Sequence, residues 1–137
     1  ELKSLVSVPV VASGDLLTAQ DGVRCLAETG VDTVMYARGA LRDPAIFKAH
    51  LDVLAGREPV PADVPVLLSR IREHARLARA FTPEKVALLK MRTIVPRYVR
   101  HIEGSKQLRA DIIACRTWDD FESALRTFEE GASNTEA

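Results

Sequence analysis

Two stretches decide how this sequence is read: Val8-Pro9-Val10-Val11-Ala12-Ser13-Gly14-Asp15-Leu16 and Thr33-Val34-Met35-Tyr36-Ala37-Arg38-Gly39-Ala40. Each opens as a short apolar run rich in β-branched residues and runs into a glycine. Val8 to Ala12 shows no polar alternation, which suits a strand buried on both faces of a parallel sheet. Val31 to Tyr36 reads as its partner. Between them Thr18 or Asp15 offers an N-cap. Ala19, Val23, Leu26 and Ala27 then share one helical face, with Cys25 near its edge. Gly30 stands where a C-terminal cap belongs. The pattern predicts a strand, one right-handed helical crossover and a second strand.

Both strands end in small residues. Ala12-Ser13-Gly14-Asp15 leaves backbone N–H groups uncovered at a strand terminus. Ala37-Arg38-Gly39 does the same and adds a guanidinium. Backbone donors with an arginine match a phosphate monoester. Two ordinary tight turns, with Asp15 as a simple helix cap, fit the same letters.

Past Gly39 the chain turns helical. Arg38-Gly39-Ala40 reads as a short turn, and Asp43-Pro44 as the cap and first position of a helix. Ile46, Phe47, His50, Leu51 and Leu54 form its apolar face, and Gly56 closes it. Pro59, Pro61 and Pro65 mark a linker. Beyond it Leu67, Leu68, Ile71, His74, Ala75 and Ala78 form one stripe. Thr82 reads as the cap of a helix from Pro83 to about Ile102, kinked or split by Pro96. Gly104 or Ser105 breaks the chain before Lys106 to Ala114. Thr117 opens a last helix with Phe121, Leu125 and Phe128 inward and Trp118 as an entry staple; Gly131 onward reads as a frayed tail. The expected division is 1–57 for the α/β part, 58–65 for the linker, 66–131 for a helical bundle and 132–137 for a disordered tail.

The 137 residues are 47% hydrophobic and 28% charged, a globular profile without a run near the ~20 apolar residues of a membrane helix. Net charge is zero, yet residues 84–116 carry 8 Lys/Arg against 3 Asp/Glu, and residues 117–137 carry 1 against 6. A neutral total thus hides a basic segment and an acidic end. On a continuous helix from Pro83, Leu88, Met91, Ile94, Val95, Tyr98, Val99 and Ile102 fall in one sector. Lys85, Lys90, Arg92, Arg97, Arg100 and His101 fall in the opposite one, and Lys106, Arg109 and Arg116 extend it. Such a face is either a solvated helix surface or a contact for nucleic acid phosphates.

Cys25 and Cys115 are far apart and in no metal spacing, so both read as structural thiols in a reduced, cytoplasmic protein. His50 and His74 belong to apolar faces, and no metal site is expected. Tyr36 reads as packing rather than ligand contact. The missing initiator Met and the early strand read as a piece cut from a longer chain.

The two opening stretches resemble the last two strands of the (β/α)8 barrel of bacterial-type tRNA-dihydrouridine synthases. Pro9-Val10-Val11-Ala12-Ser13-Gly14-Asp15-Leu16 is similar to the family's P-V-(I/V)-(A/G)-N-G-D-I. The Ala37-Arg38-Gly39 turn and Asp43-Pro44-Ala45-Ile46-Phe47 follow at family spacing. Met91-Arg92, Tyr98, Gly104, Lys106, Leu108 and Arg109 continue the likeness into the helical part, so that it covers roughly residues 5–128. The sequence departs from the pattern at Ser13, at Ala37, at Thr93-Ile94 and at Arg97.

The resemblance implies an α/β remnant, the last two β/α units of a TIM barrel, followed by an all-α tRNA-binding domain. It implies a parent enzyme that reduces uridine in tRNA to 5,6-dihydrouridine, with FMN as cofactor and NADPH as reductant. Ser13, Gly14, Asp15, Ala37 and Arg38 would line the FMN phosphate. Lys90, Arg92, Arg97, Arg100, Lys106 and Arg109 would face tRNA. The catalytic residues would lie upstream, leaving this piece inactive alone, with no tight FMN binding and with strand edges open to self-association. Two other classes stay open: an FMN-dependent barrel oxidoreductase of a small molecule, and a non-catalytic helical module binding RNA or protein.

Overall fold

A computed structural model describes residues 2–133. It is mostly helical, with two short parallel strands. The chain divides into two compact units between Val60 and Pro61.

In the first unit a single turn, α1 (Leu2–Leu5), precedes β1 (Val11–Ala12), α2 (Ala19–Thr29) and β2 (Thr33–Val34). β1 and β2 pair in parallel, Val11 with Thr33 and Ala12 with Val34. Asp32 fastens the start of this pair: its carboxylate accepts from the Val10 N–H at 2.7 Å and pairs with Lys3 at 2.7 Å. The α2 ends follow the letters. Thr18 accepts from the Asp21 N–H while the Asp21 carboxylate accepts from the Thr18 N–H, and Gly30 caps the other end with φ +66°.

The strands are shorter and barer than the apolar runs predict. Val8 is 61% and Val11 57% exposed. A parallel strand becomes buried when further strands and a helix layer on each face cover it, and β1 has one neighbour. The turn expected at Arg38-Gly39-Ala40 is instead a five-residue helix, α3 (Arg38–Arg42). The next helix, α4 (Ile46–Leu54), starts two residues later than Asp43-Pro44 predicts. The Asp43 carboxylate closes a local turn on the Ala45 N–H at 2.9 Å, ahead of the helix. Of α4's expected apolar face only Ile46 is buried, and Phe47, Leu51 and Leu54 are exposed. The unit's core is small: Leu16, Tyr36 and Ile46, with Cys25, Val34 and Ala40 against them.

The second unit holds α5 (Val64–Phe81), α6 (Glu84–Tyr98), α7 (Lys106–Ala114) and α8 (Trp118–Ser133). α5 packs on α6, α6 on α7, α7 on α8, and α8 back on α5, closing a four-helix bundle. Leu68, Ile71, Met91, Val95, Val99, Ile112 and Leu125 are fully buried in it. Arg72 of α5 forks to two α8 carboxylates, Glu122 at 2.9 Å and Glu129 at 3.0 Å.

Helix ends in this unit differ from the sequence reading in four places. Asp63 caps α5 through the Val66 N–H, which puts Pro65 in the first turn rather than in a linker. The Thr82 hydroxyl donates to the Ala78 carbonyl and so finishes α5 instead of starting α6. α6 runs through Pro96 and stops at Tyr98, followed by a run of turns in which Gly104 takes φ +73°. Pro96 has no N–H to give to the Arg92 carbonyl, yet it does not split the helix, which continues past it to Tyr98. Residues 131–133 belong to α8 rather than to a frayed tail; the rest of the expected tail lies outside the described residues. Among the described residues no helix is long and apolar enough to cross a membrane.

Candidate functional site

The parallel pairing sends both strand-end loops off the same end of the strand pair. Ser13, Gly14 and Asp15 follow β1 directly, and Ala37 and Arg38 follow β2 at a distance of three residues. Gly14 has φ +134°, a conformation side chains rarely adopt, with nothing within 4 Å of where a side chain would begin. Asp15 is left-handed at φ +49°. Its carboxylate forms an ion pair with the Arg38 guanidinium, joining the two loops. Gly39 lets them come that close: a Cβ there would stand 2.6 Å from the Leu16 carbonyl oxygen.

The five sequence-predicted residues are therefore together and exposed. Their donor set fits a phosphate. The backbone at Gly14 is open, and a guanidinium has five N–H donors, enough for a carboxylate and a phosphate together. Tyr36 does not join them. It is buried, with its hydroxyl 2.7 Å from His50 Nδ1 and 3.3 Å from the Ala19 carbonyl oxygen. Burial, then the nearby Asp21 and Cys25, push its pKa up. Gly22 makes this packing possible, since a Cβ at that position would fall 1.8 Å from the Tyr36 hydroxyl.

The helical unit sorts its cations into two groups. Along α5, Arg72 pairs with Glu122 and Glu129, Arg76 with Glu73 and Arg79 with Glu84. Among the described residues, Lys85, Lys90, Arg92, Arg97, Arg100, Lys106, Arg109 and Arg116 make no ion pair. The α6 face opposite the buried Leu88, Met91 and Val95 thus carries uncompensated charge. Arg100 and His101 lie beyond the helix rather than on it, exposed in the turns after Tyr98. Arg92 and Arg109 are half-buried, and the Arg109 Nε is enclosed without a hydrogen-bond partner.

Cys115 is buried, its Sγ donating to the Ile112 carbonyl at 3.1 Å. Burial raises its pKa, Arg92 works the other way, and the outcome is an unreactive thiol. Cys25 is half-buried on α2. His74 Nδ1 meets the Tyr98 hydroxyl at 2.8 Å, a core pair like that of His50 and Tyr36. Among the described residues no group of three His, Cys, Asp or Glu could hold a metal ion.

Sequence reasoning missed the surroundings of Trp118. It is the first residue of α8 and not an N′ staple. The entry is closed by Thr117 and Asp120, which exchange hydrogen bonds as Thr18 and Asp21 do. The Trp118 ring packs edge-on against Phe121, and the Arg79 guanidinium covers it 4.9 Å from the centroid. Thirty-nine residues separate Trp118 from Arg79, and no local spacing signals such a contact.

The sequence of this parallel β–α–β unit, and of the helical bundle that follows it along the chain, is matched in known proteins. The family model described as "Dihydrouridine synthase (Dus)" matches residues 1–133, so the chain belongs to the dihydrouridine synthase family. It is 27% identical over 131 residues to a probable tRNA-dihydrouridine synthase of Mycobacterium leprae, covering 94% of this chain and 34% of that protein. It is 28% identical over 128 residues to tRNA-dihydrouridine synthase B of Pseudomonas aeruginosa, covering 93% and 39%. A tRNA-dihydrouridine(16) synthase of Ralstonia nicotianae shares 39% identity over 75 residues, covering 55% and 23%. The matched part of the chain thus spans from 23% to 39% of the length of these relatives.

Proposed function

We propose that this chain is the C-terminal part of a tRNA-dihydrouridine synthase, an FMN- and NAD(P)H-dependent oxidoreductase that reduces uridine to 5,6-dihydrouridine in tRNA. The observation that carries the proposal is a family match running through both units, from the strand pair to the end of the bundle. Bound FMN would supply hydride chemistry. Ser13, Gly14, Asp15, Ala37 and Arg38 would hold its phosphate, by backbone donors at the strand ends and by the guanidinium. The residues that act on the base would belong to the longer protein and not to this chain.

The helical unit would dock tRNA through α6, α7 and the turns between them. Lys90, Arg92, Arg97, Arg100, Lys106 and Arg109 would provide the positive charge, with Arg109 held half inside the bundle. The uncompensated charge of this face supports the reading, because cations already matched by carboxylates have few counterions to release from RNA. A small-molecule oxidoreductase has no use for such a face. The test is tRNA affinity against salt for Arg97→Ala/Arg100→Ala. The variant should bind more weakly at low salt, with a salt slope flatter by about two. Unchanged affinity and slope would remove the docking role.

A further inference from the structure

We propose that the cleft between the start of α6 and the α7–α8 link is a second RNA contact, taking one nucleotide unit of the bound strand against Trp118. This rests on the RNA-docking reading and adds to it a place outside the residues that reading names.

The cleft is open to solvent on one side and offers about 370 Å³, room for a nucleotide. Lys85 stands on one side and Arg116 on the other. Both are exposed, and neither makes an ion pair among the described residues. The acidic residues at the cleft do not cancel them. Glu84 is engaged by Arg79 at 2.9 Å, and Asp120, which the Arg116 charge also reaches, is engaged by the Arg116 and Thr117 backbone N–H groups. Among the described residues this leaves Asp119 as the acidic side chain of the lining without a partner against the two cations. The half-buried Trp118 ring supplies a flat apolar wall. Arg79, which covers that ring, also lines the cleft.

Free cations in one cleft with an indole are the pairing that single-stranded nucleic acid uses: phosphate on the cations, base against the ring once Arg79 swings off it. A protein partner would need more apolar surface than one indole. The cleft also continues the exposed charge of α6, since Lys85 belongs to that helix, and so extends the docking face around the end of the bundle. Arg79 has two alternatives, the indole and Glu84 or an incoming base edge.

Trp118 is the only tryptophan in the chain, so all intrinsic tryptophan emission comes from a residue that lines this cleft. tRNA is titrated into the protein while intrinsic fluorescence and the anisotropy of end-labelled tRNA are followed together. The cleft as a contact predicts quenching of Trp118 with the same midpoint as the anisotropy change. Lys85→Ala/Arg116→Ala, two exposed substitutions with no effect expected on folding, should shift both midpoints and flatten the salt slope by about two. Binding seen by anisotropy with constant Trp118 emission, or a double variant with an unchanged slope, overturns the cleft and leaves the docking face standing. No anisotropy change at any salt overturns the docking face itself.

Discussion

The two units share local chemistry and differ in depth. Each has a helix started by a reciprocal Thr–Asp pair, Thr18 with Asp21 and Thr117 with Asp120. Each has a tyrosine hydroxyl within 2.8 Å of a histidine Nδ1. The helical unit nevertheless encloses seven large apolar side chains completely, while among the described residues the strand unit's core gathers Leu16, Tyr36 and Ile46. The strand unit also leaves Val8, Val11, Met35, Phe47 and Leu51 more than half exposed. Good caps and turns do not make a core. Burial decides which part of the chain carries its own stability.

That contrast is open to direct attack. Ile112→Ala should have the largest effect, since it empties a fully buried site in the bundle, at a cost of about 3 kcal/mol. Urea unfolding followed by Trp118 emission reads that unit alone. A loss under about 1 kcal/mol would mean the bundle does not depend on its core in the way the burial suggests. Gly39→Ala should come next. Its new methyl meets the backbone of Leu16 and Leu17 as well as Ile46, so about 1–3 kcal/mol is expected from the strand unit. Amide exchange should quicken around residues 16–18 and 39–42 and stay unchanged in α5 to α8. Protection lost equally in both units would erase the distinction between them.

The caps should give the smallest and most even effect. Thr18→Ala and Thr117→Ala should each cost about 1 kcal/mol in their own unit. Acid should mimic them. Hydrogen bonds from Thr18 hold Asp21 below the usual carboxylate pKa, and those from the Arg116 and Thr117 backbone do the same for Asp120. A carboxyl whose folded pKa is depressed stabilises fully above its unfolded pKa, about 3.9, and the stabilisation is lost as pH falls through the folded value. Exchange at the Thr18 and Thr117 amides should therefore rise below about pH 4 in both units. A rise in one unit only would show that the two caps are not equivalent.

What the letters revealed is tied to short range. The Thr18 cap, the Gly30 terminus, the α5 stripe and the α8 entry at Thr117 all follow from residues within four positions of one another. Helix ends that depend on a choice between neighbours were harder. Thr82 sits between two helices and its hydroxyl serves the earlier one. Strand length was not legible at all, because the Val8 to Ala12 run cannot report how many strands lie beside it. The site residues were readable as a set, through strand ends and family spacing. The Asp15–Arg38 pair that joins them spans 23 residues and has no local signature.

Val64, where α5 begins, lines the same apolar groove as Phe128, Gly131 and Ala132 near the end of α8. The chain therefore enters and leaves the helical unit at one place. A module with adjacent ends is a cassette: it can be lengthened, exchanged or spliced into a host loop at a single seam without rerouting the polypeptide. Circular permutation through the α6–α7 turns, rejoining 133 to 64 by a short linker, is open to it for the same reason.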